Sequence, residues 1–371
     1  MKNQHILDKY LFMQVFGATL VCILLFSIIW IAPEILLKTV QRVLNGTYTI
    51  QMGISVILSE IPKILGNALP VGIFLGTLFT FDKMSKDSEI TIMRACGASF
   101  YRIIASSLVL GVLIAFLNLF VQDRMIPYAS FKYSLNKQSD SITHFVFPIK
   151  TDEGKMKRVI IVPEFYRYSI NDAVVLNFTD KNHESGKSVL SSIYMADYVK
   201  YNEKTHDWII HNAATYEVTP EGVYIQVATK NNIKILGGER GQNAYELMKF
   251  SQRKARDFTN KEIKRYISML KQESMDDEYR FMLNKYLGRF SQSFIAVLFV
   301  VFGALLGFSK PRDQRLVGFT LAVLTVFLYY ITMPFLDLLA EKGIVHPVIT
   351  AFIAPVLLCF AIKGLKKHKD L

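Results

Sequence analysis

Leu11-Phe12-Met13-Gln14-Val15-Phe16-Gly17-Ala18-Thr19-Leu20-Val21-Cys22-Ile23-Leu24-Leu25-Phe26-Ser27-Ile28-Ile29-Trp30-Ile31 runs for 21 residues without a charged side chain. A helix needs roughly 17–25 such residues to cross the hydrocarbon core of a bilayer. Backbone amides in lipid must be paired within their own segment, so the run reads as a transmembrane helix. Five more uncharged stretches follow: Ile64–Phe81, Ile103–Gln122, Phe290–Ser309, Leu316–Leu336 and Ile344–Ile362. A soluble fold would have to bury six such helices on every side. The fold class is therefore an α-helical membrane protein of six transmembrane helices, interrupted after the third by a long polar insert. No short-period repeat is evident, although the three-plus-three plan hints at a pseudo-symmetric bundle.

The chain has 371 residues, 51% of them hydrophobic, and a net charge of +12. So basic a balance can signal nucleic acid, but the placement of the charges argues for membrane topology instead. With the N-terminus in the cytoplasm, the inner segments carry Lys2, Lys9, Lys83, Lys86, Arg94, Arg102, Lys310, Arg312, Arg315, Lys363, Lys366, Lys367 and Lys369. The two short outer loops carry only Lys38, Arg42 and Lys342. This positive-inside bias puts both termini in the cytoplasm and the middle segment outside. Tyr10 and Trp30 bracket the first span as interfacial aromatics do. The first apolar run is too long for a cleaved signal peptide and lacks a small-residue cleavage site. Cys22 and Cys359 lie in spans and Cys96 in an inner loop, so the outer segment contains no cysteine to form a disulfide.

The outer segment divides in two. Between Thr143 and Leu236, β-rich runs at Arg158–Val162, Ala173–Thr179, Ser188–Tyr201, Trp208–Val218 and Val223–Ala228 are separated by turn signals such as Ser185-Gly186, Asn202-Glu203-Lys204 and Thr219-Pro220-Glu221-Gly222. That spacing predicts one antiparallel sandwich, jelly roll or open roll. From Asn260 to Lys285 the period becomes helical, with Ile263, Tyr266, Ile267 and Leu270 on one face. The expected organisation is 1–122 for the first three spans, 123–258 for the β domain, 259–287 for a connecting helix, and 288–371 for the last three spans with a basic tail.

Catalytic and metal motifs are lacking. Gly186-Lys187-Ser188 resembles the end of a phosphate-binding loop, but Lys181 stands where its first glycine belongs. His183-Glu184 lacks the second histidine of a zinc-protease motif, and His206 and His211 have no partner at ligand spacing. We expect no metal, no cofactor and no enzymatic centre in this chain.

The inner loop Asp82 to Ser99 is unusual. Ser85 or Asp87 can cap a helix start, and Gly97 can close its end in a left-handed conformation, giving a coupling helix at about 85–97 of roughly three turns. Ile90, Met93 and Gly97 share one face, and Glu89 sits in the first turn, where the positive helix end favours a carboxylate. Such a helix suits docking of a cytoplasmic partner; a solvated loop helix is the plainer reading.

Asp87-Ser88-Glu89-Ile90-Thr91-Ile92-Met93-Arg94-Ala95-Cys96-Gly97, after a proline-containing second span, resembles the LptF/LptG family of lipopolysaccharide-export permeases, LptF more closely. The likeness extends to the span plan, the strand-rich insert and Phe308-Ser309-Lys310-Pro311-Arg312. It implies a periplasmic jelly roll, a second permease subunit (LptG-like or a copy of this chain), and a dimeric LptB-like ATPase docking on the inner loops. It also implies LptC-like and LptA-like bridge proteins, with lipopolysaccharide or a related glycolipid as cargo in a bacterial inner membrane. On this likeness Ser88, Glu89, Ile90, Met93, Arg94 and Gly97 become the ATPase-coupling residues, and ATP hydrolysis belongs to a separate chain.

Four charges outside the uncharged runs bear on the lipid. Lys38 and Arg42 are four residues apart, hence on one helical face, and either meet headgroup phosphates or simply anchor a helix end. Glu60 and Lys63 lie three apart in the outer part of a second span that, from Met52 to Phe81, is roughly 45 Å long as a helix. They either face a cavity or form an interfacial pair. The expected function is thus the permease subunit of an ABC-type lipopolysaccharide exporter. The alternatives are a mechanotransmission-type permease acting on periplasmic partners, or a membrane-anchored periplasmic receptor.

Overall fold

The computed structural model describes residues 4–31, 35–136, 145–151, 155–166, 169–179, 189–218, 224–308 and 317–368. Each of the six apolar stretches falls largely within a helix long and apolar enough to cross a membrane. In chain order, α1 spans Gln4–Ile31, α2 Leu37–Leu44, α3 Ile50–Lys86, α4 Glu89–Ala95, α5 Phe100–Phe120 and α6 Ile126–Asn136. A π-helical turn at Val121–Met125 joins α5 to α6, so the third span runs on well beyond Gln122. After the strands come α7 (Gly238–Ser251), a 3₁₀ turn (Ala255–Asp257), α8 (Asn260–Gln272), α9 (Asp276–Gly307), α10 (Val317–Glu341) and α11 (Pro347–His368). The chain forms two compact units, one built on the six spans together with 255–260 and the other on 138–254 and 261–279.

In the helical unit α3 is the most deeply buried span and α10 the least. Its 37 residues span roughly 55 Å at about 1.5 Å per residue, with Pro62 and Pro70 inside one continuous helix. The core is aromatic where α3 meets α9: Phe74 stacks on Phe299 at 4.6 Å and Phe302 at 5.7 Å. Small residues set the spacing, as expected where helices in lipid associate by close packing. A Cβ on Gly303 would sit 2.7 Å from the Phe74 carbonyl oxygen, and one on Gly76 would sit 2.5 Å from the Thr19 Cα. Gly303→Val should therefore force α3 and α9 apart, at the roughly 1–3 kcal/mol typical of overpacking, seen as a lower Tm in detergent. An unchanged Tm would mean that this crossing does not bear on stability.

The sheet unit holds β1 (Phe145–Lys150), β2 (Met156–Val162), β3 (Glu164–Tyr166), β4 (Ser169–Thr179), β5 (Val189–Asn202), β6 (Asp207–Val218), β7 (Tyr224–Lys230) and β8 (Ile233–Leu236). They form one antiparallel sheet of order β1-β2-β4-β5-β6-β7, with β3 also on β4 and β8 also on β6. Most sheet neighbours follow one another in the chain, but β2 and β3 both pair with β4, and β8 returns to β6 rather than to β7. Alternation puts Phe145, Phe147, Ile149, Ile160, Val175, Val199, Trp208 and Ile210 on the buried face. Leu247 and Met248 of α7 and Ile263 and Leu270 of α8 are buried as well. Trp208 Nε1 donates to the Gly241 carbonyl at 2.8 Å, which ties β6 to α7. The turn signals at 185–186 and 219–222, and the motifs at 183–184 and 186–188, lie outside the described residues.

Candidate functional site

Two places in the helical unit concentrate polar chemistry along α3, one beside Lys63, Gly66 and Asn67 and the other at its C-terminal end. Lys63 and Lys86 are 23 residues apart on that helix, roughly 35 Å at 1.5 Å per residue.

The first is α4. It has seven residues, about two turns rather than three. Ser85 and Asp87 belong to the end of α3, the latter as its C-cap, and α4 starts instead from Ser88 in a left-handed conformation (φ 63°) with no side-chain cap bond. Gly97 closes α4 as expected, at φ +85°. Gly97 N–H donates to the Arg94 carbonyl and Ala98 N–H to the Met93 carbonyl, the paired bonds of a Schellman ending. Gly97→Ala should cost about 1–2 kcal/mol of local stability through its left-handed backbone. Faster amide exchange along α4 would register that loss, and unchanged exchange would refute it.

The faces of α4 are divided. Ile90 is 4% exposed and packs in the core with Phe81, Met84, Phe100 and Ile103, and Met93 lies against the same cluster. Ile92 is 62% exposed, and Thr91, Arg94 and Cys96 are exposed with it. Ile90 and Met93 therefore hold the helix to the bundle, and the outward surface belongs to residues that the apolar pattern did not single out. Glu89 accepts a hydrogen bond from the Tyr10 hydroxyl, which lies 3.1 and 3.2 Å from its two carboxylate oxygens. Asp8 pairs with Arg102 at 2.9 Å, and Lys366 Nζ donates to the Tyr101 hydroxyl at 2.7 Å. The start of α1, the start of α5 and the end of α11 are thereby stapled together beside α4.

The second place is a cavity of ≈ 380 Å³ at the end of the bundle where α5 runs into α6. Lys63 from α3, Gln122 from the π turn, Lys285, Arg289 and Gln292 from α9, and Asp337 from α10 all line it. Asp337 accepts from Asn284 Nδ2 at 2.7 Å and pairs with Lys285. Thr350 of α11 donates to Asn284 Oδ1 at 2.8 Å, so one polar cluster joins three spans. Gln122 Nε2 donates to Gln292 Oε1 at 3.2 Å, and Gln292 Nε2 lies 3.3 Å from the Gly66 carbonyl. Arg289, 6% exposed, donates to Asn260 Oδ1 and to the carbonyls of Ala255 and Phe258 at 2.8–3.1 Å. Asp123 in the π turn accepts from the Asn260 amide at 2.6 Å. The buried guanidinium is thus matched by oxygens that cap the segment 255–260.

Of the sequence-derived charges, Glu60 and Lys63 form an ion pair at 2.7 Å, with Asp257 4.0 Å from the same ammonium. Lys38 and Arg42 sit on exposed positions of α2, outside the lining of this cavity. Arg42 donates to the Tyr48 hydroxyl at 2.8 Å. Asp337, Lys285 and Arg289 were not anticipated as site residues. Each stands at or near the edge of an apolar run, where a charge reads as a boundary rather than as a partner.

A six-span bundle carrying an inserted antiparallel sheet, with two polar clusters set along one long helix, defines a multi-pass membrane protein. Residues 9–365 match the family described as "Lipopolysaccharide export system permease LptF/LptG", and the chain belongs to that family. It is also similar to the "Lipopolysaccharide export system permease protein LptF" of Escherichia coli (strain K12) and of Shigella flexneri, at 26% identity over 110 residues in each case. That stretch covers 30% of this chain and 30% of each curated relative.

Proposed function

We propose that this chain is the permease subunit of an ABC-type exporter that extracts lipopolysaccharide, or a related glycolipid, from the bacterial inner membrane. In this reading both termini are cytoplasmic and the sheet unit is a periplasmic jelly-roll-like domain. A separate LptB-like ATPase dimer supplies the energy, a second LptG-like or identical subunit completes the membrane part, and LptC-like and LptA-like domains carry the lipid onward. The single observation behind it is the family match along residues 9–365. The anatomy of α4 supports it, because an element fixed inward by Ile90 and presenting Ile92 and Arg94 outward is built to transmit force.

The roles divide accordingly. Glu89 supplies charge to the docked ATPase, Ser88 and Gly97 set the two ends of α4, and Ile90 and Met93 couple its movement to the spans. Lys38 and Arg42 offer paired cations to glycolipid phosphates, which multiply charged acceptors reward. Photo-crosslinkers at positions 38 and 42 should capture glycolipid; capture of bulk phospholipid alone would reduce both residues to helix anchors. Purification from the native membrane, with identification of bound lipid and co-purifying chains, tests the whole reading. It expects an ATPase and a glycolipid, and recovery of neither would reject it.

A further inference from the structure

We propose that the bundle also holds a phospholipid of its own, with the phosphate headgroup in the polar cavity and one acyl chain in an apolar groove beside it. The groove, ≈ 210 Å³, lies between α9, α10 and α11 and is lined by residues such as Phe299, Leu328, Ala354 and Leu357. Its two threonines spend their hydroxyl protons on their own helix. Thr325 Oγ1 donates to the Leu321 carbonyl and Thr332 Oγ1 to the Leu328 carbonyl, each at 2.7 Å along its own helix. Cavity and groove share three wall residues of α10, namely Tyr329, Met333 and Leu336. A polar chamber and an apolar slot with a common wall make one amphipathic site.

Charge and size select the occupant. The cavity is lined by Lys63, Arg256, Lys285 and Arg289 against Asp337, with Glu60 and Asp257 beside Lys63, so four cations face three carboxylates. An ammonium has three donors. Lys285 gives one to Asp337 and Lys63 one to Glu60, so both keep donors for an entering phosphate, and Arg256 is exposed. The two volumes together fall within the roughly 300–1,000 Å³ of a single small-ligand site. They suit a phosphate headgroup and the upper part of one acyl chain, and cannot enclose a polysaccharide. This lipid is resident: it completes the contact of α10 with α9 and α11, and it is distinct from the exported cargo of the reading above.

The full chain, purified with its partners from native membranes in mild detergent, is assayed for tightly retained phospholipid by mass spectrometry. Wild-type protein should retain about one per chain. Ala354→Trp and Leu357→Trp, which fill the groove, and Arg256→Glu, which reverses a headgroup cation, should each lower retention roughly tenfold, or about 1.4 kcal/mol. The two groove variants and the exposed Arg256 keep the result readable should one variant fail to assemble. A photo-crosslinker at Thr332 should capture phospholipid. Equal retention by the folded variants, or capture of exported glycolipid alone at Thr332, would overturn the proposal. Glu89→Lys protein should retain phospholipid as wild type does even with export lost, which separates this site from the coupling reading.

Discussion

Glu89→Lys is expected to abolish lipid export, with the protein inserted at wild-type level but the ATPase no longer held. Glu89 opens α4, where the helix dipole favours a negative charge by about 0.3–1 kcal/mol. The substitution replaces that carboxylate with a cation and removes the acceptor of the Tyr10 hydroxyl. On the proposed reading, a docked ATPase would then meet a cation where it had met a carboxylate. Losing one side of a buried, hydrogen-bonded charge pair costs about 2–5 kcal/mol, roughly 30-fold to several thousand-fold in affinity. Glu89→Gln keeps the shape and the Tyr10 contact, and should retain part of the association. Co-purification of the ATPase with each variant measures this; normal export by Glu89→Lys protein would remove Glu89 from the docking role.

The largest effect on stability is expected at Arg289. Its guanidinium donates to one side-chain amide oxygen and two backbone carbonyls, all from 255–260. Arg289→Ala strands these acceptors in a buried place, and hydrogen bonds to a charged donor are worth about 1.5–3 kcal/mol each. A loss of at least about 3 kcal/mol is a large share of the marginal stability of a typical domain. Arg289→Lys should recover only a fraction, because a single ammonium lacks the planar fork that spans three acceptors. Thermal unfolding in detergent gives the order wild type, Lys, Ala. An Arg289→Ala protein with wild-type Tm would show that the segment is held by other contacts.

The six spans were legible because the length rule is strict: lipid leaves a helix no option but to be long and uncharged. Strands β2 and β4 to β7 were legible from runs of β-branched and aromatic residues between turns. β1 was not, since Pro148 demotes a run that the sheet nonetheless pairs from Phe145 to Lys150. β8 has only four residues, and α7 opens Gly-Glu-Arg-Gly, a start that propensity disfavours. At the site, the position of Glu89 at a helix start was readable, but the role of the Ile90 face was not. An apolar stripe on a short helix has the same period whether it docks a partner or anchors the helix, and the structure turns Ile90 inward. Lys285 and Asp337 are 52 residues apart on different spans. Periodicity within a helix carries no record of which charges meet across helices.

The most direct test of the central claim is ATP-driven lipid transfer. The purified assembly, with glycolipid in its vesicles and a soluble bridge domain outside as acceptor, is followed by crosslinking of lipid to that acceptor over time. The account predicts transfer that requires ATP and ceases with Glu89→Lys while glycolipid remains bound to the bundle. Transfer that proceeds equally without ATP, or an assembly that hydrolyses ATP but never delivers glycolipid, would contradict it.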